Sequence, residues 1–241
     1  MHNFKKTTNM KKFKLLTLVV FCTTNFLFGQ KISNIDFDLI KSQTQDTTST
    51  FYYPVLIQKF LQFDTTLTDK EFCYIYYGNV FTDKYNPYGT GEDEKKFMEF
   101  YKQEKFQEAI PFGLNTLIDN PVNLKILYKM LVCYHKLGDK ITAKKYANLY
   151  FGLLNEIYKS GDGKSIETAF VVIKVNDEYQ VLNDLELQSK GQALLSNGPT
   201  DRLSIDTKNQ KKVKGRKKIS ELYFNVAKPF EHMSNQFKKS E

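Results

Sequence analysis

Three apolar stripes in succession constrain this chain more than any other feature of its sequence. Phe106, Ala109, Ile110, Leu114, Leu117 and Ile118 recur at steps of three and four, which places them along one face of a helix. Pro121 ends that helix, because proline has no N–H to donate. Pro111 falls early in it, where a missing donor is tolerated. Leu124, Leu127, Tyr128, Leu131 and Tyr134 mark a second helix, closed by Gly138-Asp139 with glycine just past the last turn. Ala143, Tyr146, Ala147, Tyr150, Phe151, Leu154, Ile157 and Tyr158 mark a third, unbroken over about four turns. Faces this apolar must cover one another, which predicts an antiparallel helical hairpin. Ala109 and Ala143 stand 34 residues apart, the period of tetratricopeptide units, each where two helices approach closely. Pro121, Tyr134 and Gly138-Asp139 sit at offsets that resemble the same motif. About one and a half units are present, too few for a free-standing solenoid, which needs stacked neighbours. Residues 97–160 therefore read either as a tetratricopeptide-like hairpin within a mixed domain or as an ordinary hairpin. Only the first carries a peptide groove.

The chain ahead of this core carries the pattern of an export signal. Residues 10–14 are basic, and residues 15–28 form an apolar run interrupted by Thr23, Thr24 and Asn25, followed by Gly29-Gln30. Such a run is too short to span a membrane and has the layout of a secretory signal peptide over residues 1–30. Cleavage is expected near Gly29 or Gln30, with residues 1–9 an upstream extension. Cys22 lies in the middle of the run behind Phe21, the wrong place for a lipid-carrying cysteine, so lipidation is not expected; an uncleaved anchor is the alternative. The expected location is periplasmic or extracellular. Export decides how the formal net charge of +8 is read. Five positive charges lie in residues 1–30, which hold no acid, and seven more lie in residues 208–218, also without an acid, so the rest of the chain is net −4. Basicity this local is not the spread of charge that nucleic acid requires, and no nucleic-acid partner is expected.

Residues 31–50 form a polar lead-in with a short apolar segment, Ile35, Phe37, Leu39 and Ile40. One α+β domain is expected over 51–231, helical over 51–160 and sheet-forming over 161–231, with 232–241 a tail that ends in a helix. Pro54 suits a helix start. Thr68 and Glu71 form a capping box ahead of a second helix, with Phe72, Ile75, Tyr76 and Val80 on one face and Tyr74 and Tyr77 elsewhere. Asn86-Pro87-Tyr88-Gly89 fits a type I turn. Fifteen of the 51 residues from 51 to 101 are Phe or Tyr, about twice the chain average of 15%. Tyrosines offer a flat apolar body with a polar tip, suited to peptides or glycans as well as to a core. On that basis Tyr76, Tyr77 and Tyr88 are candidate ligand contacts.

Gly161-Asp162-Gly163-Lys164-Ser165 invites a phosphate-loop reading. The first glycine that motif needs is replaced by Tyr158, and the element order, helix before and strand after, is reversed. A tight turn is the better reading, with Gly161 and Gly163 both taking positive φ. A strand over 169–175 follows, then a short helix capped by Asn176-Asp177-Glu178, then strands over 191–196, 202–206 and 219–226. The short connections predict antiparallel pairing throughout, with residues 207–218 a basic tip. Catalytic and metal-binding signatures are missing: no His-Glu-x-x-His, no Gly-x-Ser-x-Gly, no Cys-x-x-Cys. His135 and Cys133 point about 200° apart on a helix, so no metal and no cofactor is expected. Cys73 and Cys133 stand among apolar neighbours; free thiols and an export-dependent disulfide both fit.

Tyr52-Tyr53-Pro54, Asp64-Thr65-Thr66-Leu67-Thr68, Tyr76-Tyr77-Gly78 with Asn86-Pro87-Tyr88, the hairpin ending at Gly138-Asp139, residues 160–171 and Leu222-Tyr223-Phe224-Asn225-Val226 with Lys228-Pro229-Phe230 together resemble a bacterial exported family, the domain of unknown function 4919. The resemblance spans residues 36–231. It implies export and the same mixed fold; it implies no activity and no functional residue. Two functions fit the sequence. One is a binding or scaffold module of the cell envelope, which takes a protein or peptide on its hairpin and aromatic surface. The other is a secreted hydrolase of envelope or dietary polymers, for which Asp162, Glu167, Asp177 and Glu178 are the acidic candidates. Asp162 and Glu167 join the tyrosines as candidate ligand contacts. Lys211, Lys212, Lys214, Arg216, Lys217 and Lys218 are expected to meet an anionic surface such as lipid headgroups, a peripheral contact at most, or to keep the sheet edge soluble.

Overall fold

The computed structural model describes residues 35–195, 198–210 and 218–239. The signal-like stretch and, of the basic tip, Lys211, Lys212, Lys214, Arg216 and Lys217 lie outside the described residues.

The helical part begins inside the polar lead-in. Helix α1, Phe37–Gln45, starts where Asp36 Oδ1 accepts the Leu39 N–H at 2.9 Å, and it buries Ile40 and Thr44. Helix α2, Tyr53–Leu61, opens with Pro54 in its first turn. Helix α3, Asp69–Gly78, has the full capping box: Glu71 N–H donates to Thr68 Oγ1 at 3.2 Å and Thr68 N–H to Glu71 Oε2 at 2.8 Å. Tyr74, Ile75, Tyr76 and Tyr77 of α3 are all buried. The expected division of that helix into an apolar face and an outer face is therefore corrected: α1, α2 and α7 enclose it from several sides.

Four helices then form two hairpins. Helix α4, Glu92–Lys102, packs on α5, Phe106–Asp119; α6, Leu124–Lys136, packs on α7, Lys140–Ser160; and α5 packs on α6. The second partners of the two hairpins, α5 and α7, start 34 residues apart, at Phe106 and Lys140. The first hairpin is thus complete, because α4 supplies the half that the apolar periodicity did not reveal. Its sequence is mostly charged, and its buried contacts come from Phe97 and Glu94. Gly113 sets the spacing: a Cβ there would fall 2.4 Å from Met130 Sδ and 2.8 Å from the Phe97 ring, so α5 touches α4 and α6 through bare backbone. Gly138 takes φ 84° just past α6, and Asp139 Oδ1 caps α7 by accepting the Thr142 N–H at 2.9 Å. Pro111 is the sixth residue of α5 rather than in its first turn, so one intrahelical bond is missing there.

The sheet follows. Strands β1 (Phe170–Val171), β2 (Ser189–Leu195), β3 (Thr200–Ile205) and β4 (Glu221–Asn225) lie in the order β1-β4-β3-β2. Pairs β2/β3 and β3/β4 are antiparallel, with Leu203 opposite Leu222. The expectation of antiparallel pairing throughout is corrected at the edge: β1 runs parallel to β4, with Phe170 opposite Phe224. The short-connection argument covers neighbours in sequence, whereas about fifty residues separate β1 from β4, enough for the return a parallel pair needs. Helix α8, Val175–Asp184, is flanked by Lys174 with no side-chain cap. Asp177 and Glu178, read as caps, point into the core instead. The turn before β1 is corrected as well. Gly163 has φ 67°, but Gly161 is extended (φ −166°), and what it requires is space: a Cβ there would lie 2.4 Å from the carbonyl oxygens of Thr168 and Ala169. Helix α9, Ala227–Lys239, ends the described chain. No helix of the described residues is long and apolar enough to cross a membrane.

Candidate functional site

The tyrosines of α3 fold inward. The Tyr76 hydroxyl donates to Asp177 Oδ2 at 2.7 Å and accepts the Ile173 N–H at 3.3 Å. The Tyr77 hydroxyl shares its one hydrogen between the carbonyls of Val171 (3.1 Å) and Glu156 (3.3 Å). Burial raises both phenol pKa values well above the ordinary one. As ligand contacts Tyr76 and Tyr77 are therefore corrected: both are fully buried and pin α3 to α7 and to the start of the sheet. Tyr88 does face solvent, on the turn where Asn86 Oδ1 accepts the Gly89 N–H at 2.7 Å. Asp162 serves its own turn, bonded to the Lys164 N–H at 3.1 Å and paired with its ammonium at 2.8 Å. Burial would raise the Asp162 pKa, but Lys164 and Thr168 outweigh it and hold it below the usual range. Glu167 is exposed in the same loop, its pKa lowered first by Ser165. Lys218, of the six basic-tip residues singled out the one that is described, is exposed and donates to the Thr207 carbonyl. Cys73 and Cys133 are free thiols, and burial pushes both pKa values to about 11. Among the described residues, no group of His, Cys, Asp and Glu is placed to hold a metal ion.

Behind the tyrosines lies a buried acidic seam that joins α3, α8 and β3. Asp177 receives Tyr76, and burial pushes its pKa up to about 7. Glu178 is 0% exposed, and neither of its oxygens receives a hydrogen bond from the protein. Its neighbour is another carboxylate, Asp201, itself buried and bonded by Gln192 Nε2 at 2.6 Å. Burial first, and then the charge of Asp201, raise the Glu178 pKa to about 9. A protonated Glu178 is a donor, so it can share its hydrogen with Asp201, which explains why no donor reaches it. Acids sealed in this way cannot meet a polymer substrate.

Two recesses open at the C-terminal end of α5, on different faces of its last turn. On one side Thr116, Asp119 and Asn120, with the turn around Asn86 and the first residues of α4, enclose a polar cavity of about 420 Å³. Lys174 lies in its wall, 8% exposed, and donates to the Asn86 carbonyl at 3.1 Å. Burial lowers the Lys174 pKa, against the charges of Asp177 and Glu94. Glu94, also in the wall, is held by Lys125 at 2.9 Å and by Asn123 Nδ2 at 2.9 Å, which ties α4 to α6. On the other side Leu114, Leu117, Ile118 and Pro121 face α2 and α7 across an apolar cleft of about 300 Å³, floored by Phe60 and Leu149. Leu114 and Leu61 are exposed there, and Ile118 is 63% exposed. Phe63 stands at the end of this cleft with φ 57°, a conformation unusual for a bulky side chain.

Sequence reasoning missed both recesses. The α5 stripe was visible, but periodicity marks every apolar position alike and does not tell which ones the neighbouring helices leave uncovered. Lys174 had a signal: it is the only charge in the run Ala169-Phe170-Val171-Val172-Ile173-Lys174-Val175. The model of a family described as a domain of unknown function (DUF4919) matches residues 38–235. No curated protein and no solved structure matches the chain.

Proposed function

The chain belongs to the DUF4919 family, and from that premise we propose that it is an exported binding module of the cell envelope that takes an apolar segment of another protein into the cleft between α2, α5 and α7. The observation that carries this reading is the cleft's rim. Leu61, Leu114 and Ile118 lie together in the open, although each belongs to an apolar helix face of the kind that folding normally covers. Uncovered apolar surface around a formed recess is the mark of a docking site, and truncating an anchor in such a site weakens binding steeply. Two stacked hairpins supply the rigid frame that keeps the recess open. The export signal read in residues 1–30 supports the envelope as the place of work. The hydrolase reading gains no support, since Asp177 and Glu178 are sealed in the core and Asp162 is engaged in its turn, which leaves the exposed Glu167 without the second carboxylate that polymer hydrolysis needs.

The test is site-specific photo-crosslinking in the native cell, with the crosslinking residue at position 114 on the rim of the cleft and, as control, at position 238 on α9. A discrete partner is expected at 114 and not at 238, and Ile118→Asp should reduce its capture tenfold or more while leaving the melting temperature in place. Equal labelling at both positions, or capture indifferent to Ile118→Asp, would refute the reading.

A further inference from the structure

The polar cavity on the opposite face of α5 calls for a different ligand, independent of the partner in the cleft. Most of its charges are already paired within the protein. Lys84 pairs with Asp119 at 2.8 Å, Glu92 with Lys95 at 2.6 Å, and Glu94 with Lys125 at 2.9 Å. Lys174 is the buried cation of the wall, and among the described residues its one hydrogen-bond acceptor is the Asn86 carbonyl. An ammonium carries three donors, so two remain for a guest. Asp93, at the partly exposed mouth, offers acceptors in turn.

A charged guest fits this lining badly. An anion meets the carboxylates of Glu92, Asp93 and Asp119, and a cation meets Lys174 in a setting where unpaired charge is expensive. A hydroxyl group suits both kinds of wall, because it donates to carboxylate and amide oxygens and accepts from an ammonium. The volume, about 420 Å³, lies within the range of small-ligand sites. From this lining we propose that the cavity binds a neutral mono- or disaccharide, with Lys174 donating to a sugar oxygen and Asp93 accepting from a sugar hydroxyl.

The test is titration calorimetry with saturation-transfer NMR, using the whole protein against neutral hexoses, N-acetylated hexosamines and their disaccharides. Phosphate, citrate and spermidine serve as charged probes. At least one neutral sugar is expected to bind with a dissociation constant below about 1 mM. Lys174→Met should weaken it tenfold or more; Asp93→Asn should do the same and keeps the test open if Lys174→Met does not fold. Ile118→Asp should leave sugar binding unchanged, which separates this site from the apolar cleft. Silence of every sugar at about 50 mM, sugar binding indifferent to both cavity substitutions, or a charged probe bound in place of the sugars would overturn the proposal.

Discussion

Glu178→Gln is expected to make this protein more stable, and by an amount that grows with pH. In the folded chain Glu178 is 0% exposed beside Asp201, with its pKa raised to about 9 from an ordinary 4.5. A carboxylic acid with a raised folded pKa stabilises the folded state most below its unfolded pKa. That contribution falls as pH rises from about 4.5, and by about 9 it has reached its full loss. Each pKa unit is worth about 1.4 kcal/mol, so at pH 7, some two and a half units above the unfolded value, Glu178 costs the fold about 3 kcal/mol. Glutamine keeps the shape, stays neutral and retains a donor for Asp201, so it removes this cost without opening a cavity. Urea unfolding of the two proteins at half-unit steps from pH 4.5 to 9 measures the difference, and comparing the pair cancels the titrating groups that lie away from Glu178. The two should coincide near pH 4.5, and the variant should lead by about 3 kcal/mol at pH 7, or roughly 6–12 °C in melting temperature. A constant difference across the range, or a variant less stable at pH 7, would refute the account of a proton held between Glu178 and Asp201. Glu178→Ala is the contrasting control: it also removes the charge but leaves a void, so it should gain less than Gln at every pH.

Other consequences follow from the same contacts. Tyr77→Phe removes the hydroxyl that reaches the carbonyls of Val171 and Glu156 and should lower unfolding free energy by about 1 kcal/mol in denaturant titration. Gly113→Ala forces a methyl group against Met130 and the Phe97 ring, and should cost about 1–3 kcal/mol by the same measurement. Cys133, buried and with its thiol pKa near 11 through burial, should resist alkylation at pH 8 until the protein is unfolded, and the half-buried Cys73 should react more slowly than a free thiol; prompt labelling of Cys133 in the native chain would contradict its burial.

Much of the fold could be read locally. The Thr68–Glu71 capping box, Gly138 past α6, the Asp139 cap and the stripes of α5 to α7 all concern residues within a few positions of each other. The errors share one cause. Whether Tyr76 faces a ligand or Asp177, whether Asp177 caps a helix or enters the core, and whether Gly161 needs a positive φ or an empty space depend on residues far away in sequence. Helix α4 escaped notice because its few buried groups, Phe97 and Glu94, are supported by α5 and α6 rather than by a stripe of its own.

The sequence by itself determined that this chain makes helical hairpins followed by a small sheet, because backbone hydrogen bonding, caps and breakers act between neighbours. Only the tertiary structure decided which apolar and charged side chains stay uncovered. Ile118 and Leu117 are adjacent members of one stripe, and Lys174 ends an apolar run, yet Leu117 is buried, Ile118 is open and Lys174 lines a cavity. The reason is physical: burial depends on which distant surface arrives to cover a side chain, and that choice is made when α2, α4 and α7 dock, not when each helix forms.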